Sequence, residues 1–184
     1  MTVLDRAIHA ITQLLESEHI EYAIVGGIAN AVWGEPRATV DVDVTVSVDE
    51  RAVRRTVQAI ASRLRAAVAD PAAFVRQTRV LPVDTEDGVR IDVIFALMPF
   101  ELEAIGRARS VAMAGRQVRV VTAEDLILMK IVSDRPRDLA DAEAIVRRRR
   151  SDLDLAYIEP LVGELAATLE QDDILERWRR WTSA

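Results

Sequence analysis

The chain has 184 residues, half of them apolar, with 24 basic against 30 acidic side chains, a net charge of −6 and no cysteine. Such a chain can bury a real core as one domain, or as a domain with a helical appendage, and its composition excludes disorder, a disulfide framework and thiolate chemistry. The acidic balance argues against a general nucleic-acid coat, two histidines (His9 and His19) are too few for a histidine-built zinc centre, and no apolar run approaches the roughly 18 residues of a membrane span.

The N-terminus lacks a signal-peptide pattern, so a cytoplasmic protein is expected. Thr2 can cap a first helix whose apolar side carries Val3, Ala7, Ile8, Ile11, Leu14 and Leu15 at three-and-four spacing. Tyr22 to Val25 reads as a short strand. Gly26-Gly27 breaks it, and Ile28 to Trp33 reads as one or two helical turns ended by Gly34. The clearest strand follows: Val40, Val42, Val44, Val46 and Val48 alternate with Asp41, Asp43, Thr45 and Ser47, the period of two of a half-buried strand.

Asp49 is expected to cap a helix reaching about Ala69, with strands from Phe74 to Val83 and from Val89 to Phe95, the latter two joined at Asp87-Gly88. Pro99 to Arg107 reads as a helix, and Val111 to Val121 as a hairpin turning at Gly115. From Thr122 the pattern becomes helical, with a cap at Thr122 and further helices near 137–150, 153–169 and 172–182. The fold class predicted is α+β with α/β character: a small mixed sheet flanked by helices over 1–121, then a helical C-terminal region over 122–184.

Asp41 and Asp43 share one face of their strand, about 7 Å apart at roughly 3.3 Å per residue. Aspartate is poor in strands, and two at alternate positions work against propensity. Asp92 lies on the polar side of a later strand whose Val89, Ile91, Val93 and Phe95 mark the buried side. If the two strands are neighbours, three carboxylates converge, and such a cluster calls for a cation; oxygen ligands suit Mg²⁺ or Mn²⁺. An amphipathic edge strand with solvated aspartates is the alternative. Gly26-Gly27, after a strand and before a helix, can cradle a phosphate on backbone amides, although a glycine pair there is more often only a turn.

Gly26-Gly27, thirteen intervening residues and then Asp41-Val42-Asp43-Val44, with Asp92 later, resembles the signature of the polymerase-β-like nucleotidyltransferase superfamily. The longer string from Gly26 through Arg37 and Thr39 to Asp43 resembles more specifically the AbiEii-type nucleotidyltransferases. The segments Glu124-Asp125-Leu126-Ile127-Leu128-Met129-Lys130 and Arg135-Pro136-Arg137-Asp138 to Asp141 resemble that group's lysine helix and its basic-then-acidic segment. The likeness spans about residues 20–146.

The resemblance implies that Asp41, Asp43 and Asp92 hold the divalent ions and that Asp92 helps deprotonate the acceptor. It implies that Gly26, Gly27, Arg37, Thr39 and Lys130 meet the triphosphate, and that Asp138 orients Lys130, with Asp141 as the second candidate. The implied activity is transfer of NMP from an NTP to a hydroxyl, with a tRNA 3′ end as the favoured acceptor. The implied role is that of a type IV toxin with a cognate antitoxin partner. An adenylyltransferase acting on a protein or an aminoglycoside-like small molecule, or a non-catalytic NTP-binding module, are the alternatives.

Of the 24 basic residues only Lys130 is lysine. The arginine run Arg147–Arg150 and the Arg177, Trp178, Arg179, Arg180, Trp181 cluster offer an RNA-binding reading, but helix closure and helix docking explain them better.

Overall fold

A computed structural model describes residues 1–113 and 115–183. In chain order these form α1 (Val3–Ser17), β1 (Glu21–Ile24), α2 (Gly26–Trp33), β2 (Asp41–Ser47), α3 (Val53–Ala61), β3 (Arg65–Ala66), α4 (Pro71–Thr78) and β4 (Val80–Asp84). There follow β5 (Arg90–Phe95), α5 (Pro99–Arg107), β6 (Arg109–Met113), β7 (Arg116–Val120), α6 (Ala123–Ile131), α7 (Pro136–Arg149), α8 (Leu155–Leu169) and α9 (Asp172–Ser183). Two compact units emerge: residues 1–28 with 38–121, and residues 29–37 with 122–184.

The first unit carries one seven-stranded mixed sheet in the order β3-β4-β5-β2-β1-β7-β6. β2 pairs in parallel with β5 and antiparallel with β1, so the alternating strand sits at the centre. Its Val42, Val44 and Val46, with Ile91, Val93 and Phe95 of β5 and Leu81 and Val83 of β4, are almost wholly buried. Helices α1 and α5 lie against β1 and β2. Thr2 caps α1 through a reciprocal pair with Asp5, which satisfies two of the amides a helix start leaves unpaired.

Four expectations change in this unit. Val40 is 82 % exposed and precedes the strand rather than extending its apolar face. The helix after Asp49 begins at Val53 without a side-chain cap and stops at Ala61, because Arg65 and Ala66 add a short strand to the sheet edge. Phe74 to Thr78 is helix, not strand: Asp70 accepts a hydrogen bond from the Ala73 amide and Pro71 takes the first helical position, a start signal that outweighs the apolar run. And Gly26 and Gly27 do not separate β1 from α2; they are its first turn.

The second unit is helical. α6 packs on α7 and α8, and α9 packs on α8 and α7. Leu126, Ile127, Leu128, Ile131, Ile145, Ile158 and Val162 are its buried centre, closed by Trp178 and Trp181 of α9. The α6 start is a double contact: Thr122 Oγ1 accepts from the Asp125 amide and donates to Asp125 Oδ2 at 2.6 Å. Among the described residues no helix is long and apolar enough to cross a membrane.

Candidate active site

The parallel pairing of β2 with β5 places Asp41 opposite Arg90 and Asp43 opposite Asp92. In-register residues of paired strands point to the same side. The face that carries no valine therefore gathers Asp41, Asp43 and Asp92, all half-buried. Thr39 Oγ1 donates to Asp41 Oδ1 at 2.7 Å, which fixes one carboxylate. Burial pushes the Asp92 carboxyl above its ordinary range; Arg90 opposes the shift, and the charges of Asp41 and Asp84 add to it. A carboxylate raised in this way is a stronger base than a solvated one.

Gly26 brings the start of α2 against this face. Its φ is +60°, the left-handed region, and a Cβ built on it would lie 1.9 Å from Asp43 Oδ2. The Val25 amide donates to the Asp43 carbonyl at 3.0 Å, tying the same two segments through their backbones. Only glycine satisfies both the dihedral and the approach. The first-turn amides of a helix have no intrahelical acceptor, and Gly26, the first residue of α2, lies against Asp43.

The donors fit a hard divalent cation: they are all oxygen, two of them in direct cross-strand register and the third two residues along. Among the described residues no group of three or more His, Cys, Asp or Glu side chains is gathered so as to hold a metal alone. Mg²⁺ does not require such a cage, since it is bound by one or two carboxylates together with water and substrate phosphates.

The remaining residues singled out from the sequence sit in the second unit. Lys130, 5 % exposed, donates from Nζ to Asp138 Oδ1 at 2.8 Å and to Asp141 Oδ2 at 2.9 Å. Asp141 also receives Arg37, through Nη2 at 3.0 Å and Nε at 3.3 Å, and Asn30 Nδ2 at 3.3 Å. Burial alone would raise both carboxyls, but the hydrogen bonds and charges of their cationic partners outweigh it and hold Asp138 and Asp141 below the usual range. Asp141, the less favoured of the two acids from the sequence, is the hub. Asn30 was not singled out, and its only sequence signal is a polar side chain inside an otherwise apolar helix.

Some members of the arginine clusters are engaged within the second unit, while Arg147, Arg148, Arg150, Arg179 and Arg180 are exposed. Arg147 pairs with Glu35, while Arg149 lies 5.5 Å from the Trp33 ring centroid and donates to the Trp33 carbonyl. Arg177 pairs with Asp173 and donates to the Ile131 carbonyl, and Trp178 and Trp181 are buried. Helix docking accounts for Arg149, Arg177, Trp178 and Trp181.

Over residues 2–181 the sequence matches the family described as "Nucleotidyltransferase of unknown function (DUF6036)". The chain belongs to that nucleotidyltransferase family. A search of curated proteins finds no match to the sequence. Among solved structures, ANT(2")-Ia in complex with adenylyl-2"-tobramycin is similar, with a TM-score of 0.57 and 19 % identity over 96 % of this chain and 99 % of that one. An antigenic nucleotidyltransferase-like protein from Paracoccidioides brasiliensis gives 0.56 and 16 % over 96 % and 92 %. The lincosamide antibiotic adenylyltransferase LnuA, lincomycin-bound, gives 0.52 and 13 % over 79 % and 96 %. At these identities the likeness shows the fold, a nucleotidyltransferase-like mixed sheet with a helical C-terminal part.

Proposed function

We propose that this nucleotidyltransferase moves NMP from an NTP to a hydroxyl acceptor with the help of Mg²⁺ or Mn²⁺. The observation that carries the reading is the register of β2 with β5, which sets Asp43 opposite Asp92 with Asp41 on the same face. The Gly26-Gly27 turn adjoins that face, with no room for a side chain at Gly26.

In this reading Asp41, Asp43 and Asp92 hold the divalent ion, which supplies charge stabilisation to the triphosphate and to the departing pyrophosphate. Thr39 orients Asp41 by its hydrogen bond. The Gly26 and Gly27 amides receive phosphate oxygens. Asp92, its carboxyl raised by burial, accepts the acceptor's hydroxyl proton. The acceptor oxygen forms its bond to the α-phosphorus as the bond from that phosphorus to the bridging oxygen breaks, and pyrophosphate leaves. For Lys130 and Arg37, both in the second unit, a triphosphate role is what the resemblance implies. Asp141 holds both cations, and Asp138 holds Lys130; the two bonds made by Lys130 leave its ammonium one further N–H.

The acceptor proposed is a tRNA 3′ end, and the role that of a type IV toxin with a cognate antitoxin. The string from Gly26 to Asp43 and the Lys130 to Asp141 segments support this by their resemblance to AbiEii-type enzymes. Incubation with α-labelled NTPs, Mg²⁺ and total tRNA tests it: label on RNA, absent with Asp41→Ala, is the expected result. A second reading keeps the donor chemistry and moves the NMP to a small hydroxyl compound. The engagement of Arg149 and Arg177 and the burial of Trp178 and Trp181 favour it, since these four side chains offer little open surface to RNA. Label on tobramycin or lincomycin and none on RNA would establish that reading instead.

A further inference from the structure

The sheet carries a second charged feature on the face of the three aspartates. The register aligns Asp41 of β2 with Arg90 of β5, Arg90 with Asp84 of β4, and Asp84 with Arg65 of β3. Four charged side chains of alternating sign thus cross four strands in one row, and Asp92 and Pro82 begin the next. Charged residues at adjacent in-register positions pair readily, but a sheet face needs no such row for stability, since exposed pairs contribute only about 0–1 kcal/mol each.

Asp84 is the anchor. It is buried, and its two oxygens are divided between the two guanidinium groups: Oδ1 accepts from Arg90 Nε at 2.8 Å and Oδ2 from Arg65 Nη2 at 2.7 Å. Each arginine uses one nitrogen in this way, so Arg90 keeps both Nη groups and Arg65 keeps Nε and Nη1 for another partner. The side chains remain open, 45 % exposed at Arg90 and 76 % at Arg65. Asp84 is thus shared between two guanidinium groups, and Arg90 also feels the charge of Asp92 beside it. The Arg65 end opens into a groove of about 570 Å³ whose charged lining is Arg63, Arg65, Asp84 and Glu86.

We propose that Arg90 and Arg65, presented by Asp84, bind a phosphate of the acceptor strand and so bring its terminal hydroxyl to Asp92. Arg90 adjoins Asp92 on β5, and Arg65 lies two strands further out, so the row leads away from the base assigned to that hydroxyl. Two partly free guanidinium forks suit the paired oxygens of a phosphodiester. The inference rests on the acceptor-hydroxyl role proposed above for Asp92, and it specifies the acceptor class as an anionic strand.

The test separates binding from transfer. Fluorescence anisotropy of a labelled single-stranded RNA ending in a 3′ hydroxyl is measured with Asp43→Asn protein in the absence of NTP, so that no transfer can occur. Arg65→Gln/Arg90→Gln is then added to that background, against Arg54→Gln/Arg76→Gln, a control with the same change in charge at exposed sites. The prediction is about 10- to 100-fold weaker RNA binding for the Arg65/Arg90 pair, a shallower salt dependence, and a few-fold change at most for the control. Circular dichroism melts confirm folding, and Arg65→Lys/Arg90→Lys recovers part of the affinity. Equal loss in the control, or none in either, overturns the inference whether or not the enzyme transfers NMP. Tighter binding of tobramycin than of RNA, weakened by Asp84→Asn, also overturns it. Arginine-dependent RNA binding without NMP transfer by the unmodified protein would sink the proposed reaction and leave the RNA surface standing.

Discussion

Replacing Gly26 by alanine tests how tightly β2 and the start of α2 are built together. The left-handed φ of +60° costs an L-residue about 1–2 kcal/mol. The added Cβ falls 1.9 Å from Asp43 Oδ2, 2.6 Å from its Cγ and 2.8 Å from its Cβ, so the aspartate must move as a whole. Overpacking of this kind costs about 1–3 kcal/mol. The sum is about 2–5 kcal/mol, and at roughly 2–4 °C per kcal/mol for a chain of this size the melting temperature should fall by about 4–20 °C. Displacing a reacting group by about 1 Å costs on the order of 100-fold in rate, so kcat should fall at least that far at a temperature where the variant is folded. Gly106→Ala is the control: it sits inside α5 with nothing within 4 Å of its Cβ. Alanine there should raise stability by about 0.5–1 kcal/mol. Calorimetry with transfer kinetics measures both. A Gly26→Ala protein matching the wild type in melting temperature and kcat would refute the packing of Gly26 against Asp43.

Asp92→Asn removes a half-buried charge facing like charges. A carboxyl whose folded pKa is raised makes the protein less stable as pH rises through the window just above 3.8, so in EDTA at pH 7 the variant should melt higher than wild type while losing transfer. A lower melting temperature would contradict the cost assigned to burying that charge. Asp138 and Asp141 are depressed, so their contribution is complete above 3.8 and is lost as pH falls through their lower folded values. Asp141→Asn should flatten the stability profile below pH 4, as followed by acid titration of helical circular dichroism. Lys130→Met leaves two acids without their ammonium partner and should cost about 3–5 kcal/mol in urea unfolding, part of it recovered by adding Asp138→Asn. An unchanged urea midpoint would mean that the pairs contribute nothing to stability.

Much of the first unit can be read along the chain because its signals are local. The alternation from Asp41 to Ser47 and the buried parity of β5 are one-dimensional patterns, and they identify the aspartate face before any fold is known. The α5 helix from Pro99 to Arg107 is likewise marked by its own proline start. Segment 70–84 is different. Its apolar residues Phe74, Val75, Val80, Leu81 and Val83 suit a strand throughout, and only the cap at Asp70 and the left-handed Arg79 divide it into helix and strand. The short β3 exists because the edge of β4 offers it hydrogen bonds, which no local propensity reveals.

Long-range polar pairs are harder still. Arg37 lies 104 residues from Asp141, and Asn30 lies 111; nothing in either neighbourhood selects its partner. The lone lysine stands out in the composition and its pairing with Asp138 and Asp141 follows from the resemblance, but the part Arg37 and Asn30 take at Asp141 has no local signal. The Arg65–Asp84–Arg90 row was also invisible, because it depends on the register of three strands.

The central claim is that the three aspartates of β2 and β5 carry nucleotidyl transfer. It is tested most directly by following two labels in parallel, one on the α-phosphate and one on the γ-phosphate of the same NTP, with Mg²⁺ and total tRNA. The prediction is α-label on the acceptor, γ-label released in pyrophosphate, and neither event with Asp43→Asn. Transfer of the γ-label, or α-label transfer undiminished in Asp43→Asn, would contradict it.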